Sequence, residues 1–549
     1  LAQRFGKKEN VILWHISNEF GGNFKDSTCH CEKCQKKFRE WLKNKYGTLD
    51  KLNASWWTGF WSHKYTDWDQ IHSPSPQGEC LTTALTLDWK RFSSEQITDF
   101  CKMEADALRE FSDLPTTTNM MGFFKGVDYN TLKNAVDIIS WDNYPFWHER
   151  KDEVPEAVYT SAGNALMRSL KREPFLLMES TPSSVSWRSH NPLKRPGMHM
   201  LSSMQAVAHG ADSVQYFQWR KSRGGYEKFH GAVVDHKNGS DTRTFREVTE
   251  VGKRLEHLSG GIKTFLNRAK AAIVFDWENW WAVEDTSGPR QDLDYVKCVT
   301  DHYRAFWECG LDVDFVSMDD DFSGYRLLAA PLNYMYKKGY SEKVRAFVEA
   351  GGTYVTTYFS GIVNETDLCF IGRHPLEDVL GVVSEEMDAP SKEFENCFDY
   401  NGKEYPAYTM CDIVHAKAKT EIYSVYKKDF YKGCPVVTEN AYGSGRAYYL
   451  SAESDQRFLS AFYKDVFIKA GLLKEASSAD RILKRLPHGV TAAKREDETG
   501  RKGLVFVMNF NDRQVRLEGI GKQIDAESGE VYENVLEMAP FSCTILKLK

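Results

Sequence analysis

Two acidic residues stand where an apolar run stops. Glu19 closes His15-Ile-Ser-Asn-Glu-Phe-Gly-Gly22, in which hydrophobic residues give way to an amide, an acid and two glycines. Glu179 closes Phe175-Leu-Leu-Met-Glu-Ser-Thr-Pro182 in the same manner. Either acid alone is explained as a cap or an ion-pair partner at the end of a strand. Together, two carboxyls can divide the roles of acid, base and nucleophile if they face each other across a few ångströms. Their separation decides the chemistry, and the elements that carry them set the separation.

Short apolar runs alternate with longer helical patterns from the start of the chain, the signature of repeated βα units and a parallel sheet. Five strands are predicted: Asn10 to Ile16, Pro115 to Met121, Ile138 to Asn143, Phe175 to Glu179, and Ser213 to Trp219. Helices are expected over Glu32 to Tyr46, Leu87 to Ser112, Pro155 to Leu170 and Pro196 to His209, with Pro196 suited to a first turn. Each strand ends in polar or aromatic residues: Asn18 and Glu19, Asn119, Asp142 and Asn143, Glu179, then Gln218 and Trp219. That rim is where a (β/α)8 TIM barrel keeps its chemistry. The pattern runs on through Glu247 to Leu258 and the Gly260-Gly261 pair, then changes character. A closed barrel needs eight strands, so three are expected to lie before Leu1.

On such a barrel Glu19 and Glu179 sit three strands apart, on the first and fourth of those visible. A radius of roughly 7 to 8 Å puts their Cα atoms about 14 Å apart. Side chains reaching inward then leave the carboxyls about 5 to 7 Å from one another. Retaining glycoside hydrolysis uses a separation of about 5 to 5.5 Å. In that reaction Glu179 would attack the anomeric carbon while Glu19, kept protonated by the neighbouring charge, protonates the departing oxygen. Asn18 could then donate a hydrogen bond to the sugar 2-hydroxyl.

Composition narrows the partners. The 549 residues call for two or three domains. A net charge of −6 with acids and bases intermixed offers no basic stripe for a nucleic acid. No apolar run is long enough to span a bilayer, so no membrane partner is expected. Aromatic residues make up 13% of the chain, which suits sugar faces as well as large cores. The 12 cysteines are scattered apart from one trio, which favours reduced thiols and a cytoplasmic location. The chain begins at Leu1 rather than Met, and a signal peptide upstream is compatible with it.

The pair Asn18-Glu19, Glu179-Ser-Thr-Pro182 three strands later, the trio Cys29-His-Cys31-Glu-Lys-Cys34 and the stretch Gly351-Gly-Thr-Tyr-Val-Thr-Thr-Tyr-Phe-Ser-Gly361 together resemble the β-galactosidases of glycoside hydrolase family 42. The resemblance covers the whole chain. It implies Glu19 as acid/base, Glu179 as nucleophile and Asn18 as a galactose contact. It also implies Tyr144, Trp187, Glu227 and His230 as residues lining the galactose subsite, and Trp187 has a further case because an indole can stack on the C–H face of galactose. A sugar-binding arginine of the family comes from the region before Leu1. Two other readings fit the same residues: a retaining glycosidase of other specificity, such as an α-L-arabinopyranosidase, and a non-catalytic carbohydrate-binding fragment.

Cys29, Cys31 and Cys34 place three thiols within six residues, compact enough to wrap one tetrahedral ion. His30, squeezed between two of them, is a poor fourth ligand. The resemblance implies structural Zn2+, completed by a further cysteine upstream, that would brace the loop behind Glu19 without a part in catalysis. Three units are expected: the C-terminal part of the catalytic barrel (1–262), an α/β unit (263–474) and a small β-rich unit (475–549). The middle unit resembles an amidotransferase-like domain, but Thr356-Thr-Tyr-Phe-Ser-Gly361 has no cysteine at the turn, so amidotransferase chemistry is not expected. The family uses this unit to form homotrimers.

Overall fold

The computed structural model describes residues 1–22, 28–74, 82–262, 265–473 and 486–548. Both expected unit boundaries, at 262/263 and 474/475, fall at segments outside the described residues.

The first unit is a run of parallel strands wrapped by helices, the five consecutive strand positions of a TIM-barrel-like domain. They are β1 (Trp14–His15), a kinked pair β2 (Thr116–Thr117) and β3 (Asn119–Met120), β4 (Ser140–Asp142), β5 (Phe175–Glu179) and β6 (Ala211–Val214). β1 pairs with β2, and β3, β4, β5 and β6 pair in that order, all parallel. The register sets His15 against Thr117, Asn119 against Ser140, and Asp142 directly against Glu179. Strand ends that carry polar side chains are thereby brought to one level, the rim on which such barrels do chemistry.

The first strand is shorter than its sequence predicts. The Val11 N–H donates to the Lys8 carbonyl at 3.0 Å, so residues 8–11 form a turn and the ladder is confined to Trp14–His15. The last of the five pairs at Ala211–Val214, two residues early. Beyond it the Gln215 and Phe217 N–H groups still donate to Leu177 and Ser180 carbonyls, each at 3.0 Å, which keeps the chain beside β5 up to the rim.

Among the helices, Glu32–Tyr46 matches its expected bounds and stops at Gly47, whose φ of 74° lies in the left-handed region. Pro155 lies in the first turn of Val154–Lys171. Pro196 does not take the first turn expected of it: the helix is Met198–Ala208, and Gly197, at φ 90°, caps it. A Cβ at Gly197 would come within 2.7 Å of the Phe541 carbonyl oxygen, so a later part of the chain closes on this turn. The Gly260-Gly261 pair does not end its helix, which spans Arg243–Ile262.

In the middle unit Val313–Val316, Ala271–Val274, Leu327–Ala330, Thr353–Thr357 and Gly445–Leu450 form a parallel sheet. Pro435–Tyr442 and Glu421–Val425 extend it antiparallel. Its strands are buried on both faces, as expected of a sheet covered by helices. The final unit is antiparallel: Val490–Glu496, Gly503–Asn509 and Ser542–Leu548 form one sheet, and Val515–Ile524 with Val531–Met538 a hairpin.

Candidate active site

Glu19 follows β1 with φ at 43°, a left-handed conformation that non-glycine residues adopt rarely. The strained position is held from a neighbouring strand, because the Glu19 N–H donates to Asn119 Oδ1 at 3.1 Å. Asn119 is buried and links five partners at the rim, among them Glu179, whose Oε1 accepts its Nδ2–H at 3.4 Å. Its Oδ1 also meets His15 Nε2 at 3.0 Å, and its Nδ2 donates to Asn18 Oδ1 at 2.9 Å and Asp142 Oδ2 at 2.7 Å. With its Oδ1 engaged, Asn18 keeps its amide N–H groups for another acceptor.

Glu179 ends β5, half-buried, and accepts the Tyr144 O–H at 2.6 Å on Oε2. Burial raises its carboxyl above the ordinary range; the Tyr144 hydrogen bond opposes the rise and the charge of Glu19 adds to it. One carboxyl oxygen each from Glu19, Asp142 and Glu179 lie within 4.8 Å of one another. The nearest oxygens of Glu19 and Glu179 are thus slightly closer than the 5 to 7 Å expected, and a third carboxyl joins them.

Aromatic rings form the adjoining wall. Trp187 stacks on His230 (centroids 5.1 Å, interplanar 22°), and Tyr144 meets the Trp187 ring edge-on at 4.9 Å. Trp187 keeps 40% of its surface exposed, so the face away from His230 is available to a flat apolar partner. His230 is buried; its Nδ1 meets the Gly231 carbonyl at 3.0 Å, and its Nε2 has no hydrogen-bond partner among the described residues. Burial lowers its pKa, so it is neutral near pH 7. Glu227 stands in the same turn, its carbonyl accepting the His230 N–H at 2.9 Å, with its side chain half-buried. Arg188 fixes the loop of Tyr144, donating to the Tyr144 and Pro145 carbonyls and lying 4.2 Å over the Phe146 ring.

Residues 1–258 match the β-galactosidase model of glycoside hydrolase family 42, and residues 269–473 match the β-galactosidase trimerisation domain. The chain belongs to glycoside hydrolase family 42. This family 42 chain is 47% identical over 525 residues to the β-galactosidase BglY of Alicyclobacillus acidocaldarius, covering 93% of its own length and 73% of that protein. It is 43% identical to the β-galactosidase Pbg of Clostridium perfringens, over 100% of this chain and 80% of that one. Among solved structures, the cold-adapted β-galactosidase of Rahnella sp. R3 superposes with a TM-score of 0.93 at 46% identity, over 100% of this chain and 79% of that one.

The family 42 chain also brings its cysteine trio together. One sulfur from each of Cys29, Cys31 and Cys34 lies within 4.8 Å of the others, and Cys31 Sγ is 3.7 Å from Cys34 Sγ. Sulfurs about 2.3 Å from a tetrahedral zinc stand about 3.8 Å apart, so the donors fit that ion. His30 is already engaged: its Nδ1 meets Ser73 Oγ at 2.8 Å, its Nε2 meets Thr28 Oγ1 at 3.1 Å, and its ring stacks on Trp89. Sequence reasoning noted Asn119 and Asp142 only as polar strand ends and passed over His15 and Arg188. The available signal was the recurrence of a short polar side chain at the same level of successive strands. Among the described residues no helix is long and apolar enough to cross a membrane.

Proposed function

We infer that this enzyme is a retaining β-galactosidase that releases terminal non-reducing β-D-galactose by double displacement, with Glu179 as nucleophile and Glu19 as acid/base. The observation that carries the reading is the approach of their carboxyl oxygens to within 4.8 Å at the ends of β1 and β5. That spacing lies near the retaining value of about 5 to 5.5 Å and is too small to seat the water an inverting enzyme needs. Glu179 attacks the anomeric carbon, with Tyr144 holding its Oε2 at 2.6 Å and Asn119 Nδ2 touching its Oε1 at a longer 3.4 Å. Glu19 gives its proton to the departing oxygen. Once the glycosyl ester has formed, Glu19 takes a proton from water as it attacks, and the ester breaks.

The amide N–H of Asn18, without an acceptor among the described residues, suits the sugar 2-hydroxyl, the exposed face of Trp187 suits the C–H face of galactose, and His230 Nε2 and Glu227 supply polar contacts on the same wall. Residues 269–473 assemble the enzyme as a homotrimer. Cys29, Cys31 and Cys34 would hold structural zinc, which would brace the chain that follows Glu19. No disulfide joins any of the described cysteines, which supports a cytoplasmic location.

Glu179→Gly is expected to lose hydrolysis of an aryl β-galactoside on the order of a thousandfold or more, and to recover turnover with azide as the α-galactosyl azide. Failure of azide to rescue a folded variant would remove Glu179 as nucleophile. For the metal, elemental analysis of the purified enzyme should give zinc near one per chain, and Cys31→Ser should lower that ratio and the melting temperature together. A zinc-free protein that melts like the wild type would reject the brace.

A further inference from the structure

The double displacement uses two carboxyls, and the rim holds three. Asp142 ends β4, directly across the ladder from Glu179, and is only 7% exposed. Its Oδ2 accepts the Asn119 amide at 2.7 Å. Its Oδ1 is buried with no hydrogen-bond donor among the described residues, although an Asp142 oxygen lies within 4.8 Å of both Glu19 and Glu179. An ionised carboxylate is an acceptor only, so once Glu19 has given up its proton an ionised Asp142 would set two acceptors against each other at a buried Oδ1. A proton on Oδ1 removes the conflict, because the O–H is a donor and a neighbouring carboxylate is its acceptor.

We propose that Asp142 is a positioning residue for the reaction, staying protonated throughout and donating its Oδ1–H to the Glu19 carboxylate. The inference rests on the roles given above to Glu19 and Glu179. In the first half-reaction the Glu19 proton passes to the leaving oxygen as the C1–O bond breaks and the bond from C1 to Glu179 forms. The new Glu19 carboxylate then has a donor beside it, which holds it in place for the incoming water. In the second half a water proton passes to Glu19, the bond from C1 to the water oxygen forms and the ester to Glu179 breaks. Asp142 keeps its own proton in both halves, so it is neither consumed nor regenerated.

The surroundings agree. Burial, then the charge of Glu179, lifts the Asp142 carboxyl to about 9; Glu19 adds to the rise and the Asn119 bond opposes it. The titratable groups facing this cluster are His15 and Glu19 from β1 and the turn after it, Tyr129 beyond β3, Tyr144 after β4, Glu179 on β5, and His230 in the turn beside Trp187. The direct partner of Asp142, Asn119, is neutral; its N–H favours the ionised form, but burial and the charge of Glu179 outweigh it.

The test compares kcat/KM for an aryl β-galactoside across pH in the wild type, Asp142→Asn and Asp142→Ala. An amide N–H imitates the neutral acid, so the Asn variant should stay within about fivefold of wild type near neutral pH. The Ala variant should fall roughly 10- to 150-fold, the worth of a hydrogen bond to a charged group. On the alkaline side log kcat/KM of the wild type should reach a slope of about −2, from two coupled ionisations, and that of the Asn variant about −1. Overturning results are an Asn variant as impaired as Ala, full activity in both, or a wild-type slope of −1. The last needs no variant and decides the matter if either substitution unfolds the enzyme. Azide rescue of Glu179→Gly is independent of all three, so loss of the Asp142 role leaves the nucleophile standing and the reverse failure is separately visible.

Discussion

At the scale of single residues, the nucleophile is a compromise between burial and one hydrogen bond. Burial disfavours the charged form of Glu179, and the Tyr144 O–H at 2.6 Å favours it. Attack requires the carboxylate, so activity is lost as pH falls through the Glu179 pKa. Tyr144→Phe removes the hydrogen bond through which Tyr144 lowers this pKa. The pKa therefore rises, and the acid limb of the kcat/KM profile should move to higher pH. The plateau should also drop by roughly 10- to 150-fold, as for loss of a hydrogen bond to a charged group. An acid limb that stays in place would separate Tyr144 from the ionisation of Glu179. The catalytic pair was legible in sequence because each acid ends its own apolar run, a local pattern. Asn119 and Asp142 were not, because their meaning lies in partners on other strands: Asn119 touches residues 101 positions before it and 23 after it. Polar strand ends are common on barrels, and only the register shows which of them meet.

At the scale of elements, β4 is fixed by the ring of Trp141, which two glycines leave just enough room for. Trp141 precedes Asp142 on β4 and pairs with Met120 and Leu177, and a Cβ at Gly163 would come within 2.7 Å of its Cη2. A Cβ at Gly122 would come within 2.8 Å of its Cζ3, so the ring has no slack on that side either. Gly163 sits inside the helix Val154–Lys171, where alanine would gain about 1 kcal/mol from propensity. Overpacking costs about 1 to 3 kcal/mol, and a ring confined by both glycines puts the cost toward the upper end. Gly163→Ala should therefore destabilise by about 1 to 2 kcal/mol net and lower kcat, since Asp142 is the next residue. A higher melting temperature would mean that the ring can move. Helices with strong punctuation, such as Glu32–Tyr46 before Gly47, could be read from sequence. The ends of β1 and the start of the helix at Met198 could not, because a turn bond at Val11 and a close approach at Gly197 decided them.

At the scale of the whole molecule, charges buried between units join the catalytic barrel to the trimerisation domain. Arg91, on the barrel helix Thr83–Arg109, donates to Asp88 at 2.9 Å, to Glu278 at 2.5 Å and to the Glu365 carbonyl at 2.7 Å. Glu278, on Trp277–Asp285 of the middle unit, is also bonded to Lys337 at 3.0 Å, and Lys337 reaches Asp276 at 3.0 Å. Burial would raise the Glu278 carboxyl, but Arg91 and then Lys337 hold it down to about 2. Removing one member of such a pair leaves a buried charge without its partner and costs about 3 to 5 kcal/mol, whereas replacing both is often close to neutral. Lys45 and Lys337 remain beside Asp88 and Glu278, so Arg91→Met should cost toward the lower end of that range. The double variant Arg91→Met with Glu278→Met should recover part of the loss. The depressed Glu278 pKa contributes stability that is present above its unfolded value and lost as pH falls. The gap between wild type and Arg91→Met should therefore be full at neutral pH and narrow as pH drops from about 4.5 toward 2. Salt should change it little, because these side chains are shielded from solvent. Calorimetry across pH measures all of this, and a double variant less stable than the sum of the two single losses would show that the joint does not depend on charge balance.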